Sequence, residues 1–177
     1  MTGSGEGDLY IYGGLFSDQP PVRPTENTIW RYTISGNFWS VIKADSFVIT
    51  DDSEQKYIDR TAEGAGVYIP SRGLGFYFGG HLDGYTTRDW DQSTPRVYLK
   101  SLLELRFPGG TQEDIKDGYV GFRNVSASSG LNKAGVPERA DGILAFIPWG
   151  EEGLLVGIGG GRNETFVRYF NQISLDV

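Results

Sequence analysis

Three apolar runs of the chain, at 7–14, 73–80 and 153–160, share one pattern: a glycine, five mostly apolar residues, and a pair of glycines. The apolar positions are rich in aromatic and β-branched residues, and short runs of this kind bounded by turn residues predict buried β-strands. The glycine pairs predict backbone with positive φ or close approach to another segment. The pattern therefore indicates repeated copies of one β-unit.

Polar turns join these runs to further strands. The second and third runs each follow a strand-like stretch that ends in Ile-Pro, at 69–70 and 147–148, and a short polar turn predicts a hairpin in each case. After the first glycine pair, a polar loop leads to two β-rich stretches, 28–34 and 38–42, with Ser-Gly-Asn between them. The sequence thus predicts antiparallel units joined by hairpins and longer polar loops.

The spacing of aromatic residues after the glycine pairs resembles the kelch repeat. In the first unit the pattern is complete, with Tyr32 and Trp39 after the pair. The second unit has a tyrosine at the same distance but Leu105 where the tryptophan is expected, and the chain ends before that position in the third. The residues that match the kelch motif are Gly13, Gly14, Tyr32, Trp39, Gly79, Gly80, Tyr98, Gly159 and Gly160. The stretch 124–161 is similar to fungal cell-surface kelch-repeat proteins of the galactose-oxidase-like propeller superfamily.

This resemblance implies an all-β fold, a kelch-type β-propeller segment of about three four-stranded antiparallel blades. We expect one unit over 1–177, with a partial blade at 1–43, a full blade at 60–121 and a partial blade at 139–177. The first blade is expected to lack its first strand and the last its fourth. A closed propeller needs about four to eight blades. The expected partners therefore include the remaining blades or other copies of the chain.

The longest polar connections are expected to lie at one end of the blades, which we call the loop face. Long loops on a rigid scaffold are where binding usually resides, and aromatic and arginine side chains are the usual anchors. The candidate ligand-binding residues are His81, Asp83, Tyr85, Arg88, Trp90, Arg23, Arg162 and Asn163. The predicted function is a non-catalytic binding module for protein or glycan ligands. His81 is more simply explained as a hydrogen-bonded loop residue.

The large aromatic residues near the strands have a simpler interpretation than ligand binding. We expect them to fill the core between blades, because each blade buries both faces against its neighbours. They are Tyr10, Tyr12, Trp30, Trp39, Phe76, Tyr77, Phe78 and Trp149.

The composition limits the chemistry. The sequence has no cysteine and one histidine, whereas the copper-radical oxidases of the superfamily need a cysteine crosslinked to tyrosine and two histidine ligands. No cofactor is predicted. Asp83, Asp89 and Asp91 beside Trp90 leave open a glycan-directed hydrolase or lyase. A truncated fragment without independent function is the remaining alternative.

The charge argues against two classes of partner. A net charge of −7 disfavours nucleic acid and anionic membrane surfaces, and no apolar run is long enough to insert into a membrane. The start of the chain does not resemble a signal peptide, although the family resemblance implies an extracellular or cell-surface location for a full-length protein. Asn124 and Asn163 carry the glycosylation pattern.

Overall fold

The computed structural model describes residues 2–3, 7–43, 47–49, 58–109, 115–162 and 170–174, and every structural statement below refers to them. Their main strands form three successive sheets, which we call blades 1, 2 and 3. Neighbouring strands within each blade are antiparallel and follow the chain order, apart from one short parallel strand at the edge of blade 2. The all-β fold predicted from the repeats is confirmed.

Blade 1 contains four strands, not the three expected from the sequence. They are β1 (Thr2–Gly3), β2 (Asp8–Ile11), β3 (Thr28–Thr33) and β4 (Phe38–Lys43). The additional strand β1 pairs with β2 opposite Leu9 and Asp8. It lies in a glycine-rich stretch with no apolar alternation, so its pairing depends on the backbone and leaves no pattern in the sequence.

Blade 2 has the expected four strands and one that was not predicted. In chain order its four strands are β6 (Ala65–Ile69), β7 (Leu74–Phe78), β10 (Leu102–Arg106) and β11 (Val120–Asn124). The extra strand, β5 (Phe47–Ile49), runs parallel along β11 in a region expected to be loop. Between β7 and β10, the two short strands β8 (His81–Leu82) and β9 (Val97–Tyr98) form a separate small hairpin.

Blade 3 has three described strands: β12 (Ala140–Ile147), β13 (Leu154–Gly161) and β14 (Phe170–Ser174). The connection from blade 2 contains a single helical turn, α1 (Leu131–Ala134). Three strands were expected here, because the sequence shows the hairpin of β12 and β13 and one stretch after the last glycine pair.

The core lies between the blades in two layers. Blades 1 and 2 enclose Tyr10, Ile29, Ile42, Tyr77, Leu103, Leu105 and Phe122. Blades 2 and 3 enclose Leu74, Phe76, Phe78, Leu102, Leu144 and Leu155, with Val125, Leu131 and Val136 from the connection. Side chains alternate across a strand, so blade 2 is buried on both faces, whereas blades 1 and 3 bury only one of their faces within the described residues.

The glycine pairs join one blade to the next. Gly79 and Gly80 have φ of 68° and 87°, and a Cβ on Gly79 would lie closer than 3.0 Å to the carbonyl oxygen of Arg139 at the start of blade 3. The backbone N–H of Gly80 donates to that same oxygen at 2.8 Å. Gly13 and Gly14 repeat both contacts with the carbonyl oxygen of Thr61 in blade 2. The predicted positive φ and close approach are both confirmed.

The aromatic spacing in blade 2 was wrongly aligned. In blade 1, Tyr32 pairs with Leu9 on one side and with Trp39 on the other. The equivalent of Leu9 in blade 2 is Gly75, whose partner is Leu105, and the partner of Leu105 on β11 is Phe122. Leu105 therefore occupies the tyrosine position and Phe122 the tryptophan position. Tyr98 lies in β9, because the β8–β9 hairpin lengthens the connection and shifts the count.

Three tryptophans expected in the core are exposed. Trp30, Trp39 and Trp149 are 46%, 50% and 78% exposed, whereas Tyr10, Phe76, Tyr77 and Phe78 are buried as expected. Trp149 lies on the turn between β12 and β13. The other two tryptophans belong to the surface of blade 1 that is turned away from blade 2, where cross-strand neighbours share a face. We call this surface the open face of blade 1; it consists of Leu9, Ile11, Trp30, Tyr32, Trp39 and Val41.

Blade 3 has a matching exposed surface on its far side. Ile143 pairs with Ile158, and Ile147 pairs with Leu154. Ile143, Ile147 and Ile158 are 63%, 44% and 37% exposed. We call these residues, with Leu154 and Val156, the open face of blade 3. Both ends of the described stack of blades therefore present apolar strands to solvent.

Candidate functional site

A cavity of about 520 Å³ opens on the loop face of blades 1 and 2. Three connections line it, at 25–27, 58–60 and 86–90, together with Phe47 and Leu82. We call it the Trp90 cavity. Its lining agrees, for the described residues, with the expectation that long polar connections of neighbouring blades share one end. A volume of this size accommodates a large side chain or a small ligand.

Trp90 is half-buried and borders two hollows. The second, about 490 Å³, is lined by Pro21, Arg23, Asp89, Trp90, Asp91 and Gln92. Both hollows share Asp89 and Trp90. Three of the predicted ligand-binding residues, Arg23, Arg88 and Trp90, therefore lie in one continuous region.

The two arginines of the Trp90 cavity already have partners. Arg88 Nη1 lies 3.1 Å from Glu26 Oε1, and its Nε lies 3.5 Å from Asp89 Oδ2. The guanidinium of Arg60 lies 4.8 Å from the centroid of the Phe16 ring, and its Nη2 donates to the backbone carbonyl of Glu26 at 3.1 Å. Arg60 is half-buried, and burial lowers its pKa. These contacts orient both guanidinium groups within the wall of the cavity.

Asp59 has a different environment from the other carboxylates that line the cavity. Its side chain is half-buried, and burial raises the pKa of its carboxyl group. Among the described residues, none forms an ion pair or hydrogen bond with that carboxylate. Glu26 and Asp89, in contrast, both face Arg88.

His81 and Asp83, both candidate ligand-binding residues, are buried and interact with each other, which agrees with the simpler interpretation of His81 as a hydrogen-bonded residue. The His81 side chain is 0% exposed, and its two ring nitrogens each lie 3.1 Å from a carboxylate oxygen, of Glu63 and of Asp83. Arg96 reaches both carboxylates, at 3.1 Å and 3.4 Å. Buried charges are stable when they are paired in this way, so this network is a support of the loop and not a ligand contact.

Asp83 links the buried His81 network to the loop that lines the cavity. Its Oδ1 accepts a hydrogen bond from the backbone N–H of Tyr85 at 2.9 Å, and its own N–H donates to Thr86 Oγ1 at 2.9 Å. These bonds form a tight turn immediately before Arg88 and Trp90. The buried network therefore positions the two predicted anchors without touching a ligand.

The remaining predicted residues lie elsewhere. Tyr85 is half-buried, and its carbonyl oxygen accepts from the N–H of Phe16 at 2.9 Å, which joins the two loops. Arg162 is exposed and lies 3.5 Å from Glu138, outside both cavities. Asn163 is outside the described residues, and Asn124 is exposed at the end of β11.

The residues of this cavity that sequence reasoning missed include Asn27, Asp59 and Arg60. Each lies close before a strand and looks like ordinary polar loop sequence. Only the convergence of the loops from two blades shows that they share a wall. The described residues contain no cluster of three side chains suited to a metal ion. Nor do they include a helix with the length and apolarity to cross a membrane.

Successive antiparallel blades joined by long loops and packed through glycine pairs define an open segment of a β-propeller. This chain is 44% identical to a "Kelch repeat-containing protein" of Arthroderma benhamiae over 171 residues, which cover 90% of the chain. The chain is thus a kelch-repeat segment. It spans 26% of the length of that relative. No family model matches the sequence.

Proposed function

We propose that this chain is a non-catalytic binding segment that takes a protein or glycan ligand through its loop face. The observation that carries the proposal is the convergence of three connections on one cavity, with Trp90 as its aromatic wall. Half-buried tryptophan beside arginine is the composition typical of binding hot spots. The blades beneath supply a rigid base for these loops.

A glycan-directed hydrolase or lyase is supported less well. Hydrolysis of a glycosidic bond requires two carboxyl groups placed across one ligand. Asp83 is buried in the His81 network. Hydrogen bonds from the Ser93 side chain and from its backbone N–H lower the pKa of Asp91. In the Trp90 cavity, burial raises the pKa of the Asp59 carboxyl group. A single carboxyl group with a raised pKa fits ligand binding better than acid–base catalysis, which needs two.

The chain offers a matched pair of tryptophans for testing this proposal. Trp90 lines the cavity, and Trp149 is exposed on a turn outside it. Peptide and glycan arrays are probed with the labelled chain and with the Trp90→Ala and Trp149→Ala variants. Loss of a buried aromatic anchor is expected to weaken binding at least about tenfold, or about 1.4 kcal/mol. The Trp149→Ala variant is expected to bind normally. Equal binding by all three proteins would contradict the proposal.

The second part of the proposal concerns partners: further blades, or other copies of the chain, cover the two open faces. The repeat supports this, because the open face of blade 1 is equivalent to the face of blade 2 that packs on blade 1. In the same way, Leu154, Val156 and Ile158 of blade 3 are equivalent to Leu74, Phe76 and Phe78, with Phe76 and Phe78 buried against blade 3. The two open faces are therefore complementary halves of one interface, and association between them is head-to-tail.

Two charge substitutions separate head-to-tail association from other kinds. Ile11→Lys blocks the open face of blade 1, and Ile143→Lys blocks that of blade 3. If copies associate head-to-tail, each variant alone is expected to be monomeric in light scattering, and an equimolar mixture is expected to form dimers from the two intact faces. Dimerisation of one variant alone would indicate pairing of identical faces. A wild-type monomer at all concentrations would contradict self-association and leave further blades as the partner.

For a longer protein that contains this segment, we propose an extracellular or cell-surface location, supported by the family resemblance. Asn124 is exposed, and its Oδ1 accepts a hydrogen bond from Ser126 Oγ at 2.6 Å. This accessible pattern is a suitable glycosylation site on a secretory route. Mass spectrometry of the protein isolated from a fungal culture tests it, with Asn124→Gln as the control. An unmodified Asn124 in secreted protein would contradict the glycosylation proposal.

A further inference from the structure

The carboxylate of Asp59 lacks a counter-charge in the wall of the Trp90 cavity. Arg88 is held by Glu26 and Asp89. Arg60 contacts the Phe16 ring and a backbone carbonyl, and its Nε is buried without an acceptor among the described residues. Tyr12 Oη donates to the backbone carbonyl of Asp59 at 2.7 Å, but no described residue donates to its side-chain carboxylate. Because a half-buried charge without a partner is unfavourable, folding alone does not explain a carboxylate at this place.

A second acceptor beside Asp59 also lacks a donor. Asn27 is 8% exposed and lines the same cavity, and its Nδ2 donates to the carbonyl oxygen of Ile58 at 2.9 Å. That bond fixes the orientation of the amide and places it beside the peptide that joins Ile58 to Asp59. Its Oδ1 is buried and accepts no hydrogen bond from the described residues. Two neighbouring acceptors, the Asp59 carboxylate and the Asn27 Oδ1, are thus without donors among the described residues.

The remaining walls suit an aliphatic stem that carries a cation. Phe47 and Trp90 contribute aromatic surface to the cavity, and long charged side chains pack their methylene groups against such surface. An aromatic face also attracts a cation directly. The lining carries one more carboxylate than arginines. The local charge therefore favours a positively charged ligand group.

From these observations we propose that the Trp90 cavity receives the arginine or lysine side chain of a partner protein, with Asp59 as its counter-ion and Trp90 against its stem. This inference rests on the proposed binding function, because it names the ligand class of the same cavity. Guanidinium and ammonium groups donate hydrogen bonds and accept none, which matches two acceptors that lack donors. A neutral sugar would leave the charge of Asp59 uncompensated.

The test compares two peptides that differ only in charge. One is acetyl-Ala-Arg-Ala-amide, and in the other citrulline replaces arginine, which keeps the shape of the side chain but removes its charge. Binding to the 177-residue chain is followed by the NMR signal of the Trp90 indole N–H, assigned with Trp90→Phe. We expect the arginine peptide to bind at least tenfold more tightly than the citrulline peptide, and the difference to shrink as salt increases.

Two aspartate variants connect this preference to the residue. Asp59→Asn keeps the size of the side chain and removes its charge, and it is expected to abolish the difference between the peptides. Asp141→Asn is the control, because Asp141 is exposed and does not line the cavity; it is expected to leave the preference unchanged. The comparison of peptides on the wild-type chain needs no variant and stands even if Asp59→Asn folds poorly.

The outcomes separate this inference from the proposed function. Equal affinity for both peptides, or an unchanged preference in Asp59→Asn, overturns the role of Asp59 while binding at the loop face stands. A shift of the Trp90 signal with cello- or malto-oligosaccharides, together with no shift from the arginine peptide, indicates a glycan site and overturns the inference alone. If these probes and the arrays all fail to bind, the proposed function fails as well.

Discussion

Gly79 and Gly159 occupy equivalent positions with different surroundings. Each is the first glycine of its pair, with φ of 68° and 70° respectively. A Cβ on Gly79 would lie closer than 3.0 Å to the Arg139 carbonyl oxygen, whereas at Gly159 it would meet no atom of the described residues within 4 Å. Alanine at the two positions therefore introduces the same backbone strain but only one collision between blades.

The structure gives the expected size of the difference. A left-handed conformation costs a residue with a Cβ about 1 kcal/mol, and this applies to both Gly79→Ala and Gly159→Ala. At Gly79 the backbone of Arg139 must also move, and overpacking of this kind costs about 1–3 kcal/mol. The same movement weakens the hydrogen bond from the Gly80 N–H to Arg139. We expect a loss of about 1 kcal/mol for Gly159→Ala and about 3 kcal/mol for Gly79→Ala.

Urea unfolding followed by circular dichroism and tryptophan fluorescence measures both losses. Equal destabilisation by the two variants would refute the view that the first glycine of a pair makes room for the next blade. A further comparison uses the longer polypeptide or an assembled oligomer. If another blade packs on blade 3 as blade 3 packs on blade 2, Gly159→Ala is expected to become as destabilising there as Gly79→Ala.

Two further predictions concern single polar groups. Because burial raises the pKa of Asp59, its ionised form opposes folding once the pH exceeds the pKa of aspartate in the unfolded chain. Asp59→Asn is therefore expected to raise the urea midpoint at about pH 7 and leave it unchanged near pH 3; a lower midpoint at neutral pH would contradict this. Tyr77→Phe removes the hydroxyl oxygen that accepts from the Gly64 N–H at 2.8 Å, and the expected loss is about 1–2 kcal/mol. The exposed Tyr119→Phe is its control, and equal effects would exclude a role for that bond.

The strands could be predicted from the repeat because the repeat consists of local sequence features. Apolar runs, turns and glycine pairs are set by short stretches of sequence, and they located β2, β7 and β13 correctly. The alignment within the second unit failed at Tyr98, because the β8–β9 hairpin adds residues without changing the pattern around it. Counting along the chain is reliable only while the loops keep their length. Strand register is determined by cross-strand pairing, and the number of residues between two motifs carries no information about that pairing.

The burial of the tryptophans depends on the neighbouring blade, about which the local sequence carries no information. Trp30 and Tyr10 lie on neighbouring strands with similar surroundings in the sequence, yet one is 46% exposed and the other 4%. The difference is the blade against which each face packs. Tyr10 faces blade 2, and Trp30 faces the open side. An aromatic residue in a repeat is predicted to lie at an interface, and the presence of the neighbour decides whether it is buried.

The carboxylates of Asp83 and Asp59 at the loop face differ in the same way, through the segments that surround them. Asp83 and Asp59 are both aspartates beside strands, and the sequence favoured Asp83 because it lies near Trp90. In the fold, the Asp83 carboxylate is paired with Arg96 and lies within hydrogen-bonding distance of the His81 ring, and it also accepts from the backbone N–H of Tyr85 in the turn. Asp59 lines the cavity, and no described residue pairs with its carboxylate. The partners of a loop carboxylate depend on which loops converge, and so the difference between Asp83 and Asp59 could be recognised only after the two blades had been brought together.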